Sequence, residues 1–213
     1  MLELKSLLER MNIFDAIVNK KVVIKFKKEP VDDKLIGVIL HMANQANSAG
    51  NMQEWNFIVV RDEEKKNKLY KASLEHRLIK EAPVLIVVCA DLEKASLRFQ
   101  KKGEALYSIQ DTAAATMLML VTANALNLAA EWIRSFDEEM VKDILNLPNN
   151  LRPVAIVAVG YAEEEEEKKE RIPFDNLTYY NVYGKKYDIS CLFEIKPIGN
   201  LLEDILKKFR NRS

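Results

Sequence analysis

Only two cysteines, Cys89 and Cys191, and two histidines, His41 and His76, occur in the 213 residues. They form no CxxC pair and no Cys/His cluster, which argues against a zinc or iron–sulfur site of ordinary ligand spacing. Net charge is missing too. The 32 basic and 32 acidic side chains cancel, whereas a dedicated nucleic-acid binder would carry a basic excess. A local basic site for one phosphate stays open. No GxGxxG and no GxxxxGK[ST] occurs, so a Rossmann nucleotide site and a P-loop are not expected. No repeat or low-complexity linker divides the chain. The stretch Thr112 to Ala130 runs about 19 residues without a charge, close to the length that spans a bilayer. It is rich in Ala, Thr and Asn and closely flanked by Asp111 and Glu131. It therefore reads as a helix buried in protein.

What is present describes an ordinary globular protein, 48% hydrophobic and 30% charged. A chain of this size buries roughly 70% of its unfolded surface and needs no disulfide or metal to hold it. Few cysteines and no apolar leader fit a reducing cytosol, and a cytoplasmic location is expected. Cys89, inside the apolar run Val84–Ala90, reads as a buried strand thiol.

Along the chain, Leu2 to Asn19 reads as one or two amphipathic helices. Asp32 caps a second helix whose stripe is Leu35, Ile36, Ile39, Leu40 and Ala43. Asn44 to Met52 reads as a loop, with Gly50 supplying a positive φ. Trp55–Val60 is a strand, and a charged helix follows from about Asp62 to Lys80. Val84–Ala90 is a second strand. The pattern of residues 91–103 is polar and gives no clear element. Glu104–Asn127 is a long central helix, and a short strand begins at Trp132-Ile133. Asp137-Glu138-Glu139 opens a helix that ends at Leu147-Pro148, and Val154–Gly160 is a further strand. Glu163–Glu167 reads as a solvated acidic loop. A Tyr-rich segment follows Asn176, then an amphipathic helix near Leu201–Phe209. Mixed strands and helices support α/β or α+β without choosing between them.

The loop Asn47-Ser48-Ala49-Gly50-Asn51-Met52-Gln53-Glu54-Trp55 resembles the Pro-Ser-x-x-Asn-x-Gln-Pro-Trp loop of the nitroreductase family. Further matches follow in order: Glu81-Ala82-Pro83, Leu106–Ala115, Trp132–Glu138, Leu145–Pro148, Arg152-Pro153-Val154, Gly160-Tyr161 and Arg171–Asp175. No single motif is decisive, but their shared register from about Phe14 to Asp175 is specific. The resemblance implies an α+β fold, a central mostly antiparallel sheet flanked by helices, in an intertwined homodimer. Residues 1–175 would form the domain, and residues 176–213 an extension packing on the partner subunit. It also implies FMN at the interface between subunits and NAD(P)H as reductant. The acceptor would be an electron-poor molecule such as a nitroaromatic or quinone, with residues 91–103 near its pocket. Two equivalent sites are expected from the symmetry of such a dimer.

The resemblance also nominates the cofactor-binding residues, with the flavin carrying the chemistry and no catalytic side chain required. Lys20 and Lys21 match the start of the family's Arg-Arg-Ser-x-Arg-x-Phe phosphate clamp; Val22 and Ile24 stand where that clamp has its hydroxyl and its inner basic residue. Arg171 matches the closing basic motif. Ser48, Asn51 and Gln53 match polar positions near the flavin. Arg134 and Ser135 would present a backbone N–H to the flavin's reactive nitrogen, and Arg134 would favour negative charge on the reduced ring. Asn127, Ala129 and Arg134 replace family glycines, and Asn47 and Glu54 replace prolines. These departures carry the alternative expectation: the same fold with weakened or lost FMN binding, acting as a ligand-binding or regulatory dimer.

Overall fold

The computed structural model describes residues 13–167 and 170–187. The N-terminal segment before Ile13, Cys191 and the helix expected near Leu201–Phe209 lie outside the described residues. The chain falls into two compact units, Met1–Glu167 and Lys168–Ser213.

In the first unit, α1 (Ile13–Val18), β1 (Val23–Phe26), α2 (Asp33–Ala43), β2 (Trp55–Val60), α3 (Glu63–Ala72), α4 (Arg77–Glu81) and β3 (Val84–Asp91) follow in order. They are succeeded by α5 (Leu92–Lys102), a π-helical turn (Gly103–Tyr107), α6 (Ser108–Ala125), β4 (Ala129–Ile133), α7 (Glu138–Leu145), β5 (Leu151–Gly160) and β6 (Ala162–Glu165). The main sheet has four strands in the order β2-β3-β5-β4, and every pair is antiparallel. The α+β expectation holds.

β3 explains why the central strands read as unbroken apolar runs. Val84, Ile86 and Val88 join Ile39 of α2 and Met119 of α6 in one core. Leu85, Val87 and Cys89 point the other way, into a core with Leu69 of α3, Ile79 of α4 and Val141 of α7. Alternate residues of a strand face opposite sides. Both sides are covered by helices, so each position must be apolar. The Cys89 thiol is fully buried and burial pushes its pKa up to about 12, which makes it inert at neutral pH.

The charge-free central segment satisfies its polar groups locally. In α6, Thr112 Oγ1 donates to the Ser108 carbonyl at 2.6 Å and Thr116 Oγ1 to the Thr112 carbonyl at 2.8 Å. Hydroxyls bonded to the preceding turn can be buried without another partner. Among the described residues, no helix is long and apolar enough to cross a membrane.

Four elements differ from the sequence reading. The helix expected from Asp62 to Lys80 is two helices, α3 and α4, separated where Leu74 and Glu75 turn to φ 52° and 56°. Within residues 91–103, Leu92–Lys102 form α5, which reverses at Gln100 (φ 49°, ψ −140°). The strand near Trp132 lies upstream, with Ile133 as its last residue. The acidic run is not a free loop. Glu163, Glu164 and Glu165 belong to β6, which pairs antiparallel with β1. Lys25 bonds Glu163 at 2.9 Å and Lys21 bonds Glu165 at 3.0 Å. Facing lysines offset the carboxylates, and that lets so acidic a segment form a strand.

In the second unit, Phe174–Leu177 make one 3-10 turn. A bridge joins Tyr179 to Lys186, and the Tyr180 and Tyr187 rings stack with centroids 5.4 Å apart. The Tyr-rich segment is thus held by its own aromatic contacts.

Candidate functional site

The loop between α2 and β2 is built from its two ends. Asn44 caps α2, its backbone N–H donating to the Leu40 carbonyl. Its side-chain Oδ1 accepts the Trp55 indole N–H at 2.9 Å, tying the end of α2 to the start of β2. Trp55→Phe removes this bond and trims a buried indole to a phenyl ring, so a loss of about 2–4 kcal/mol, hydrogen bond plus cavity, is expected in urea unfolding.

Between these ends the Ser48 hydroxyl accepts the Gln53 N–H at 2.9 Å, and the Gln53 amide donates to Asn51 Oδ1 at 3.1 Å. Gly50, Asn51 and Gln53 all have left-handed φ, at 56°, 58° and 49°. Such a backbone must be held from outside, and α5 and α6 hold it. Arg98 donates to the Gly50 carbonyl at 3.1 Å, Lys94 to the Gln53 carbonyl at 3.0 Å, and Asp111 accepts the Ala49 N–H at 2.7 Å. The two missing prolines are therefore replaced by a hydrogen-bonded frame.

A second group gathers around the end of β4. Arg134 is exposed and lies over the Trp132 ring, 4.1 Å from its centroid. Glu131 is half-buried, and its carboxyl is raised chiefly by burial, with Lys20, His76 and Arg134 acting in the opposite sense. Lys20 and Arg134 thus act electrostatically on the same carboxylate. Lys21 is paired with Glu165. Beyond Ile133 the chain leaves the ladder. Among the described residues, neither the Arg134 nor the Ser135 N–H meets a backbone acceptor. Asn127 precedes this strand with φ 61°, a conformation asparagine tolerates better than most residues in place of glycine. Arg171 lies in the second unit and is exposed.

The two groups of the first unit are not brought together within one protomer. Ser48, Asn51 and Gln53 precede β2, while Arg134 and Ser135 follow β4, and these strands are the opposite edges of the sheet. Three strand spacings separate them by about 14 Å.

Sequence reasoning missed Lys94, Arg98, Asp111 and Glu131, which frame or flank the candidate residues. The first two sit in the segment with no clear pattern. Asp111 lay within the family-matched Leu106–Ala115 segment, but only as the last charge before an uncharged stretch and with no role assigned.

Comparison with known proteins gives these groups a context. The sequence profile of the nitroreductase family matches residues 22–81 and 75–161. An NADH dehydrogenase of Thermus thermophilus is 29% identical over 192 residues, covering 78% of this chain and 94% of that protein. An FMN reductase (NADPH) of Bacillus subtilis is 24% identical over 190 residues, covering 83% of this chain and 76% of its own length. The crystal structure of a nitroreductase family protein from Clostridium difficile 630 superimposes with a TM-score of 0.72 at 29% identity, covering 81% of this chain and 99% of that one. The profile spans the β2 loop, all four strands of the main sheet and the end of β4, and the chain belongs to the nitroreductase family.

Proposed function

We propose that the protein is an FMN-dependent oxidoreductase that takes hydride from NAD(P)H and reduces an electron-poor acceptor, such as a nitroaromatic or quinone. The observation that carries this reading is the division of the family-matched residues between opposite edges of one sheet. Neither group can enclose a flavin alone. A second copy of the chain, related by a two-fold axis, would set the Ser48–Gln53 loop of one protomer against the end of β4 in the other. The reading therefore includes a homodimer with two sites, and an extension, residues 176–213, that packs on the partner. A cytoplasmic location goes with it.

The donors fit the group in kind. The backbone N–H groups of Arg134 and Ser135, which meet no backbone acceptor among the described residues, suit a ring nitrogen and carbonyl. Lys20, Lys21 and Arg171 would hold the phosphate by charge-assisted bonds. Ser48, Asn51 and Gln53 would orient the ring, with the frame from α5 and α6 fixing their backbone. Bound FMN would supply the two-electron redox chemistry, and the protein supplies orientation and electrostatics. Arg134 would place positive charge beside the ring, favouring its reduced anionic form.

One observation favours a second reading, a family fold with weakened flavin affinity. Val22 and Ile24 offer no donor, Ile24 is 40% exposed, and Lys21 is already engaged by Glu165.

A visible spectrum of the purified protein, before and after adding FMN and gel filtration, separates the two. A retained flavin band, bleached anaerobically by NADH or NADPH, supports the oxidoreductase and names its reductant. A colourless dimer that releases all added FMN sinks it. Arg171→Glu is expected to weaken FMN affinity by at least tenfold, and so to lower occupancy after gel filtration, about 1.5–3 kcal/mol for one lost charged contact plus repulsion. Unchanged occupancy in this variant removes Arg171 from the phosphate site.

A further inference from the structure

Glu54 stands where the family loop has proline, yet it is 1% exposed, and Asp111 beside it is 8% exposed. The Asp111 carboxyl lies near enough to act directly on the Glu54 carboxyl. Two carboxylate oxygens repel unless a proton lies between them. Asp111 already accepts the Ala49 N–H at 2.7 Å, a bond that suits its ionised form. The proton then belongs on Glu54, whose Oε2 is buried without a partner.

Against a second negative charge the surroundings set the Glu54 backbone N–H, which favours the ionised carboxylate, and little more. From α5, Lys94 acts on Glu54 at a distance, while its amine is engaged by the Gln53 carbonyl at 3.0 Å. Arg98 is committed to the Gly50 carbonyl. From β3, the Asp91 backbone N–H donates to the Glu54 carbonyl at 2.7 Å, but its carboxylate is turned to the Lys94 N–H and to Asn150. From α6, Asp111 is itself the like charge. Burial, with Asp111 alongside, pushes the Glu54 carboxyl up to about 7.

We propose that Glu54 and Asp111 share one proton and act as a positioning pair that fixes the Ser48–Gln53 loop, so that losing the proton loosens the loop and the cofactor it contacts. The link to the cofactor rests on the flavin reading above; the proton sharing does not. Ionising Glu54 sets two charges against each other beneath the loop. The bond from Asp111 to Ala49 is the contact most directly strained, because Asp111 must move to separate them. Glu54→Gln keeps the shape and a hydrogen-bond donor toward Asp111 but cannot ionise, and it fixes the closed arrangement at every pH.

The test is amide hydrogen exchange at Ala49 and Gln53 in the purified protein from about pH 5.5 to about pH 8.5, corrected for intrinsic exchange, with flavin affinity measured in parallel. In the native protein, protection is expected to fall about tenfold or more across this range. In Glu54→Gln it should stay high and flat. FMN affinity should follow the same curve in the native protein and lose its pH dependence in the variant. Protection that is independent of pH, or that changes equally in Glu54→Gln, overturns proton sharing. A pH-dependent loop with pH-independent FMN affinity overturns the positioning role. No flavin binding at any pH, with the exchange behaviour as expected, overturns the flavin reading and leaves the proton-sharing pair standing.

Discussion

Gly103→Ala is expected to destabilise the protein by about 3 kcal/mol or more, lowering Tm by roughly 6–12 °C. Gly103 has φ −60° and ψ −50°, so its backbone is ordinary and no left-handed turn requires glycine. The requirement is space. A Cβ there would lie 2.1 Å from the Ala95 carbonyl oxygen and 2.8 Å from its carbon. Those atoms are backbone of α5 and cannot rotate away as a side chain can. α5 runs to Gln100, reverses, and lays the following turn against itself; Gly103 is the point of closest approach. Adding a methyl must push the two apart, and α5 carries Lys94 and Arg98, the groups that hold the loop before β2. The variant should therefore also lose protection at the Asn51 and Gln53 amides, which bond within this loop. Gly37→Ala is the control. It sits in α2 with nothing within 4 Å of its Cβ, so the same substitution should stabilise by about 0.5–1 kcal/mol. Thermal unfolding that moves both variants alike would contradict the close-approach argument.

Restoring the family pattern in the N-terminal clamp, by Val22→Ser with Ile24→Arg, is expected to tighten FMN binding about 10²- to 10⁴-fold. Two charged or charge-assisted hydrogen bonds at about 1.5–3 kcal/mol each give roughly 3–6 kcal/mol. Both positions have room. Ile24 is 40% exposed and Val22 is half-buried, whereas their neighbours Val23 and Phe26 fill the core. Lys25 does not substitute for the missing inner base, because Glu163 and Glu164 hold its amine at 2.9 and 3.4 Å. Equilibrium titration followed by flavin fluorescence measures the change. Unaltered affinity in the double variant would remove this segment from the phosphate site and turn attention to Lys20 and Arg171.

The parts of the fold that were legible are those where burial and local chemistry agree. Asp32 caps α2 through the Lys34 N–H, and Ile36, Ile39 and Ala43 are buried on the expected stripe. β2, β3 and β5 lie where their apolar runs placed them. α5 was hidden because it buries only Ala95, so its solvated face dominates the pattern. Its reversal uses Gln100 rather than glycine or proline, and the break after α3 uses Leu74 and Glu75, residues that ordinarily do not signal a turn. β6 was hidden because its acidity is balanced across the ladder, by lysines about 140 residues away in sequence. Within the candidate site, residue types pointed to the loop and to the end of β4, but periodicity carries no information on strand order. The placement of these groups on opposite edges follows only from the β2-β3-β5-β4 arrangement.

That arrangement has a consequence for how the chain acquires its shape during synthesis. β3 ends at Asp91, while β5, its second partner, begins at Leu151. β4 emerges earlier, but among the described residues β5 is its only neighbour in the sheet. A nascent chain that has released everything through α7 can therefore pair β2 with β3 and nothing more, and it must keep β4 and one side of β3 unpaired. Closing so long a loop delays the remaining pairs, and unpaired apolar strands invite association with other chains. The last strand of the main sheet to be made joins its two halves in a single step. Ribosome-bound chains truncated before Leu151 should remain sensitive to protease, and chains extended well past Gly160 should become resistant together across the whole sheet.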